Sequence, residues 1–385
     1  MIKDEATLNV MVDTISQFVK ERLIPIEEQC SENDQIPHEI IDEMRELGLF
    51  GLSIPEEYDG LGLTLEEEIN VVFELCQASP IFRSVIGTNV GIGALGIVID
   101  GTPEQKKKYL PKLASGEIIG AFALTEPDAG SDAASLRTSA LKDGDHYVLN
   151  GTKRFITNAP EASVFTVFAR TDPSNKGASG VSAFLVDKGT AGLSLGKNEK
   201  KMGQWGGHVC DVIFEDCRVP ADALIGLKEG VGFKTAMKVL DKSRTHISAV
   251  CVGAATRILD EALRYAMDRK QFNKPISDFQ LIQAMLADSK AEIFAAKSMV
   301  LETARKYDLK KNISTESSCC KLFAAEMVNR VADRAVQILG GSGYIRDYAV
   351  ERFYRDVRLF RLYEGTSQIQ QLIIARNMVK DASRS

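Results

Sequence analysis

Residues 79–99 read SPIFRSVIGTNVGIGALGIVI, and two folds compete for them. The segment GIGALG, Gly91 to Gly96, has the spelling of a dinucleotide-binding turn, which would belong to a parallel α/β sheet. Such a turn follows a strand, opens a helix and is answered by an acidic residue about 20 positions on. Here Pro80 breaks one helix and a new one begins around it, so the glycines fall inside a helix. The expectation is close helix packing through small residues, without a nucleotide. From Leu75 to Ile99 the only formal charge is Arg83, an expensive residue in so apolar a stretch unless it has a partner.

Working outward, the chain before this stretch reads as helices. Leu8, Met11, Val12, Ile15, Phe18 and Val19 recur at helical spacing. Pro37 can open a second helix and Gly48 close it. Thr64 with Glu67 has capping-box spacing ahead of Ile69–Leu75. After Gly120 the texture changes to short runs rich in Val, Phe and Thr: AFALTE, HYVLNGTKRFITN, VFTVFAR, VSAFLVD and VCDVIFED. Turn clusters such as KDGD and DPSNKG separate them, which predicts an antiparallel sandwich or barrel. From Lys228 the pattern is helical again, over Phe233–Lys270, Asp278–Lys306, Glu316–Leu339, Val350–Leu362 and Gln368–Val379, and predicts a bundle. The fold class is therefore α+β in three domains: residues 1–119 helical, 120–227 an antiparallel β-domain, 228–385 a four-helix bundle.

The 385 residues carry a formal net charge of -6, which gives nonspecific nucleic-acid binding little support. Ser84–Ile99 is shorter than the roughly 18 residues of a membrane helix and holds four glycines. MIKDEATLNV lacks a secretion-signal pattern, and seven scattered cysteines without a CxxC pair suit a reducing cytoplasm. His38, His146, His208 and His246 show no metal spacing. Arg352, Arg355, Arg358 and Arg361 recur every third residue, but Glu351 and Asp356 interleave and read as a solvated or interface face.

Two segments gather chemistry. LTEPDAGSD, Leu124 to Asp132, collects hydroxyls and backbone amides at a strand end, and is equally readable as a plain β-turn. In YEGTSQIQ, Tyr363 to Gln370, Glu364 sits in a break between helices. Ser367 with Gln370 has capping-box spacing there, so Glu364 is either a base on a rigid turn or a solvated glutamate favoured by the helix dipole.

Taken together, AFALTEPDAGSD, NGTKRFITN, KMGQWGGHVCDVIFEDCRVP, DRKQFNKPISDFQ, QILGGSGY and YEGTSQIQ resemble the acyl-CoA dehydrogenase family, in family order and over essentially the whole chain. The resemblance implies FAD between β-domain and bundle, electron transfer flavoprotein as oxidant, and a homotetramer in which a neighbour completes each FAD site. It implies that Phe122, Leu124 and Thr125 meet the flavin pyrimidine edge and that Thr157 bonds near N5. Phe155 stands where many relatives have tryptophan against the ring. Thr366 and Gln368 would touch the same subunit's FAD. Arg269, Phe272, Gln280, Gln337 and Gly341 would clasp the neighbour's. Glu364 would be the base that removes an α-proton of an acyl-CoA thioester, giving trans-2-enoyl-CoA. Ser131, Asp241 and Arg244 match positions along the CoA arm and acyl entrance. Relatives acting on isovaleryl and long chains carry the base on the bundle helix, where this chain has Ser243.

FRS, Phe82 to Ser84, is similar to YRS of glutaryl-CoA dehydrogenases, which implies that Arg83 and Ser84 contact a carboxylate at the far end of the substrate. The glutamate that accompanies that arginine maps to Cys76, so decarboxylating glutaryl chemistry is weakened while other dicarboxylyl-CoAs stay open. The alternatives are an internal partner for Arg83, with a plain short- or medium-chain acyl-CoA as substrate, and, in a different class, a nucleic-acid-associated family member without dehydrogenase activity.

Overall fold

The computed structural model describes residues 2–383, so Met1, Arg384 and Ser385, at the outer ends of the first and last expected domains, lie outside it. The first third is helical: α1 (Glu5–Phe18), α2 (Glu27–Glu32), α3 (His38–Glu46), α4 (Leu65–Leu75), α5 (Pro80–Gly87), α6 (Leu95–Asp100) and α7 (Pro103–Ala114). Local signals set several ends. Gly48 stops α3 at φ 69°, a conformation that costs glycine little. The Thr64–Glu67 capping box forms in both directions, 3.2 Å from the Glu67 N–H to Thr64 Oγ1 and 2.8 Å from the Thr64 N–H to Glu67 Oε2. Leu23, Met44, Phe50, Val71, Leu75 and Phe82 share one buried core.

GIGALG is preceded by a helix, which removes the nucleotide reading, but it does not lie in one continuous helix as expected. A wide turn over Thr88–Ile92 separates α5 from α6, and Gly91 leaves helical geometry at φ -121°, ψ -111°. Asn89 explains the tie. Its amide donates to the carbonyls of Leu113 and Ile118, and its oxygen accepts from the Gly120 N–H. Packing through small residues holds at Gly93, where a Cβ would stand 3.1 Å from the Gly120 carbonyl carbon. Pro80–Asp100 as a whole is long and apolar enough, by length and composition, to be a membrane-span candidate, the one such segment among the described residues, and it is mostly buried. In the sequence Arg83 divides this run, so the apolar stretch after it, Ser84–Ile99, is too short to qualify.

The middle segment is a sheet of β1 (Gly120–Ala123), β2 (Ser139–Asp143), β3 (His146–Thr157), β4 (Val164–Arg170), β5 (Val181–Asp187), β6 (Leu193–Leu195) and β7 (Val209–Pro220). Their order is β1-β4-β2-β3-β7-β6, with β5 also on β4. Four pairings are antiparallel, as expected. Two are parallel: β1 with β4, and a single register point between β2 and β4. The expectation failed there because the β2–β3 hairpin lies between β1 and β4 in the chain, a crossover that residue alternation does not reveal. β4 is buried on both faces, because Phe165 and Val167 face the core inside the β-domain while Phe168 faces Leu113 of α7 and its neighbours.

Beyond it come α8 (Gly232–Asp268), a short hairpin of β8 (Lys270–Gln271) and β9 (Lys274–Pro275), then α9 (Gln280–Asp308), α10 (Ser314–Leu339), α11 (Ala349–Val357) and α12 (Ser367–Ala382). Helices α8, α9, α10 and α12 form the bundle. Its core extends into the N-terminal segment, since Ile69, Val72 and Phe73 of α4 pack with Ile247, Val250 and Val328. A Cβ on Gly253 would meet the Phe73 carbonyl oxygen at 2.7 Å, so glycine permits this close contact between α4 and α8.

Candidate active site

A cleft of about 490 Å³ opens where the end of β1, the end of β3, α8 and the turn before α12 meet. It brings together Phe122, Leu124, Thr125, Ser131, Phe155, Thr157, Arg244 and Glu364. The β1 end is held from beneath by a buried ion pair, Lys153 Nζ to Glu126 Oε1 at 2.7 Å. The same carboxylate accepts from the Arg137 and Thr138 N–H groups. LTEPDAGSD is therefore a braced turn, and Lys153 is a contributor the sequence reading passed over as a strand residue.

Phe155 takes φ 58° where the β3–β7 register slips between Lys153 and Ile156. A bulge of this kind re-aims a side chain. The ring is 57% exposed in the cleft, with the Arg154 guanidinium 5.0 Å from its centroid. Gly130, also in the lining, has open space where a Cβ would be. An aromatic face, strand-end hydroxyls and a glycine-floored opening fit a planar flavin.

Glu364 and Gly365 form a left-handed turn, φ 57° and 88°. Gln370 Nε2 donates to both carbonyls, at 3.2 and 3.0 Å, and the buried Lys321 ammonium donates to the Gly365 carbonyl at 2.6 Å. Helix α12 is capped by Thr366, which accepts from the Ile369 N–H; the expected Ser367–Gln370 box does not form. Ser367 donates to Glu326 instead, and Gln370 serves the turn. Glu364 Oε2 is buried without a partner, and the Glu364 N–H donates to no group among the described residues. Burial raises the Glu364 pKa above its usual value, while Arg83, Arg244 and Lys321 pull it back. Burial lowers the Lys321 ammonium to about 8. Asp241 is drawn off to Arg244, 2.8 Å away, and lies outside the cleft lining. The Ser243 hydroxyl is buried without a partner.

Arg83 has no carboxylate within ion-pair distance among the described residues. Its Nε–H donates at 2.9 Å to His246 Nε2. The ring's other nitrogen lies 2.5 Å from Glu68 Oε1, and Glu68 Oε2 is 2.9 Å from Lys242 Nζ. The Arg83 guanidinium lies over Gly87, whose Cβ would stand 2.7 Å from its Cζ. Ser84 contributes its carbonyl to Asn158. Nothing in the spacing of His246 marked it.

Arg269, Phe272 and Gly341 are not near Glu364. They line a second hollow of about 500 Å³ at the β8–β9 hairpin, with Gln280 and Gln337 exposed beside it at the ends of α9 and α10. Phe272 is 88% exposed. Thr366 and Gln368 lie on the first turn of α12, Gln368 exposed.

Three family models match in succession: acyl-CoA dehydrogenase N-terminal domain over residues 5–117, middle domain over 121–217 and C-terminal domain over 230–379. The 3-(aryl)acrylate reductase of Clostridium sporogenes is 42% identical over 363 residues, 94% of this chain and 96% of that protein. The caffeyl-CoA reductase–Etf complex subunit CarC of Acetobacterium woodii is 42% identical over 361 residues, 94% and 95%. The structure of butyryl-CoA dehydrogenase from Megasphaera elsdenii aligns with a TM-score of 0.94 at 36% identity, covering 98% of this chain and all of that one.

Proposed function

The chain belongs to the acyl-CoA dehydrogenase family, and from that premise we propose that it interconverts an acyl-CoA and its trans-2-enoyl-CoA, with an ω-carboxylated acyl group as substrate. It is an oxidoreductase, and its cofactor is FAD. The observation that carries the reading is the buried, unpartnered Oε2 of Glu364, a residue of the cleft lining. Glu364 takes the α-proton, and burial lifts its pKa toward working pH, where a base is most effective. Its own free N–H is a donor for the thioester oxygen as charge develops there. FAD, when bound, supplies the two-electron acceptor. Phe122, Leu124, Thr125, Phe155, Thr157, Thr366 and Gln368 hold it. Ser131 and Arg244 line the CoA arm, with Asp241 acting on it through its ion pair to Arg244, and Arg83 with Ser84 receives the carboxylate. Borders at 119/120 and 227/228, a homotetramer, a cytoplasmic setting suited to seven free thiols, and electron transfer flavoprotein as redox partner complete the proposal. The last is supported by the Etf-complex relative.

Two relatives named as reductases favour a second reading, in which the physiological direction is reduction of the enoyl-CoA. The test is a panel of mono- and dicarboxylyl-CoAs and their 2-enoyl forms, run in both directions with electron transfer flavoprotein and read by product mass. Turnover of none of them would reject the activity.

Two further results are expected. Arg269→Ala should release FAD more readily during gel filtration, because a guanidinium suits a pyrophosphate; FAD retention equal to the parent would remove Arg269 from the cofactor site. Lys321→Met should move the acid limb of the kcat/KM profile to higher pH, since losing a cation beside Glu364 raises its pKa further. An unmoved limb would show that Lys321 serves only the Gly365 carbonyl.

A further inference from the structure

We propose that His246 is a positioning residue for Arg83 and thereby a determinant of acyl-end specificity, the second half resting on the substrate reading above. The observation is a chain, Lys242–Glu68–His246–Arg83, running from α8 to α4, back to α8 and on to α5. His246, Glu68 and Lys242 are each under a tenth exposed, so water does not substitute for the links among them, while Arg83, at the outer end, is half-buried.

The chain fixes the ring's chemistry. Nε2 accepts from Arg83, so the proton is on Nδ1 and is donated to Glu68. Burial and the Arg83 charge hold the His246 pKa down at about 4, and Lys242 and His246 outweigh burial to hold Glu68 at about 2. The ring is thus a neutral spacer between a carboxylate and a guanidinium.

A spacer does what a direct ion pair would not. A carboxylate beside Arg83 would occupy the guanidinium fork and neutralise it. His246 takes only Nε–H, and Nη1 and Nη2 donate to no protein group among the described residues. That edge stays free for a planar, bidentate acceptor, and a ligand carboxylate is the chemistry that matches it. Gly87 leaves room for the guanidinium on the face of α5. Cys76, Cys251, Tyr363 and Glu364 are the other titratable groups that feel the Arg83 charge. Of these, the cysteines and tyrosine are held neutral by burial, and the carboxyl of Glu364 is the proposed base.

The test uses the FAD-loaded enzyme with adipyl-CoA and hexanoyl-CoA, equal in carbon number. His246→Leu should lower kcat/KM for adipyl-CoA roughly tenfold or more, mainly through KM, and cost hexanoyl-CoA much less. His246→Gln, whose amide can accept from Arg83 and donate to Glu68, should restore most of the difference. In an Arg83→Met background, His246→Leu should change the ratio no further. Equal losses on both substrates, or the same adipyl loss in both backgrounds, would overturn the proposal. If the parent enzyme shows no preference for adipyl-CoA, the substrate reading fails by itself. Positioning is then read from melting temperatures: losses for Arg83→Met and His246→Leu that fail to add support the link, and additive losses overturn it.

Discussion

Glu364→Gln is expected to leave the chain folded and FAD-loaded while slowing reduction of the flavin by acyl-CoA roughly 10²–10⁴-fold or more. The amide keeps the shape of the side chain, and the left-handed turn is held by Lys321 and Gln370 through main-chain carbonyls, which the change does not touch. What disappears is the proton acceptor. The Ser243 hydroxyl, a buried group without a partner on α8, is no substitute, because an alcohol is a far weaker base than a carboxylate. Bleaching of the flavin at a near-parental rate would reject the assignment.

Arg83→Met carries the second large effect. If the guanidinium receives a substrate carboxylate, its loss leaves that carboxylate buried and unpaired, at a cost of about 3–5 kcal/mol. That corresponds to roughly 10²–10³-fold or more in kcat/KM for a dicarboxylyl-CoA. The equal-length monocarboxylic substrate should lose little. Melting temperature does not separate the readings, because Arg83 also bonds His246. Removing it orphans a buried acceptor, worth about 1–3 kcal/mol, whatever the substrate is. Selectivity decides: matched losses on both substrates would return Arg83 to a purely structural role.

What was legible in the sequence follows from how far apart interacting groups lie. The Thr64–Glu67 box and the glycine stop at Gly48 depend on neighbours within one turn, and both form as read. Glu364 was placed on its inter-helix turn for the same reason. The long-range partners were not legible. His246 and Glu68 are separated by 178 positions, and a lone histidine on an apolar helix face says nothing about what faces it. Lys153 reads as an ordinary strand residue until β1 brings Glu126 over it. The start of α12 shows the limit within a single turn: Thr366 and Ser367 both offer hydroxyls, and a tertiary partner, Glu326, takes the second.

Gly87 has a consequence for how this site can be inherited. It lies one helical turn beyond Arg83 on the same face of α5, and a methyl group there would occupy the space of the guanidinium. The arginine would swing away and forfeit its bond to His246. Positions 83, 87 and 246 should therefore change together across related chains: where 87 is bulkier than glycine, arginine at 83 paired with histidine at 246 should be rare. Related chains that routinely combine a large residue at 87 with that pair would contradict the coupling. If it holds, the three letters form a signature by which this arginine–histidine arrangement can be traced through a genome without solving another structure.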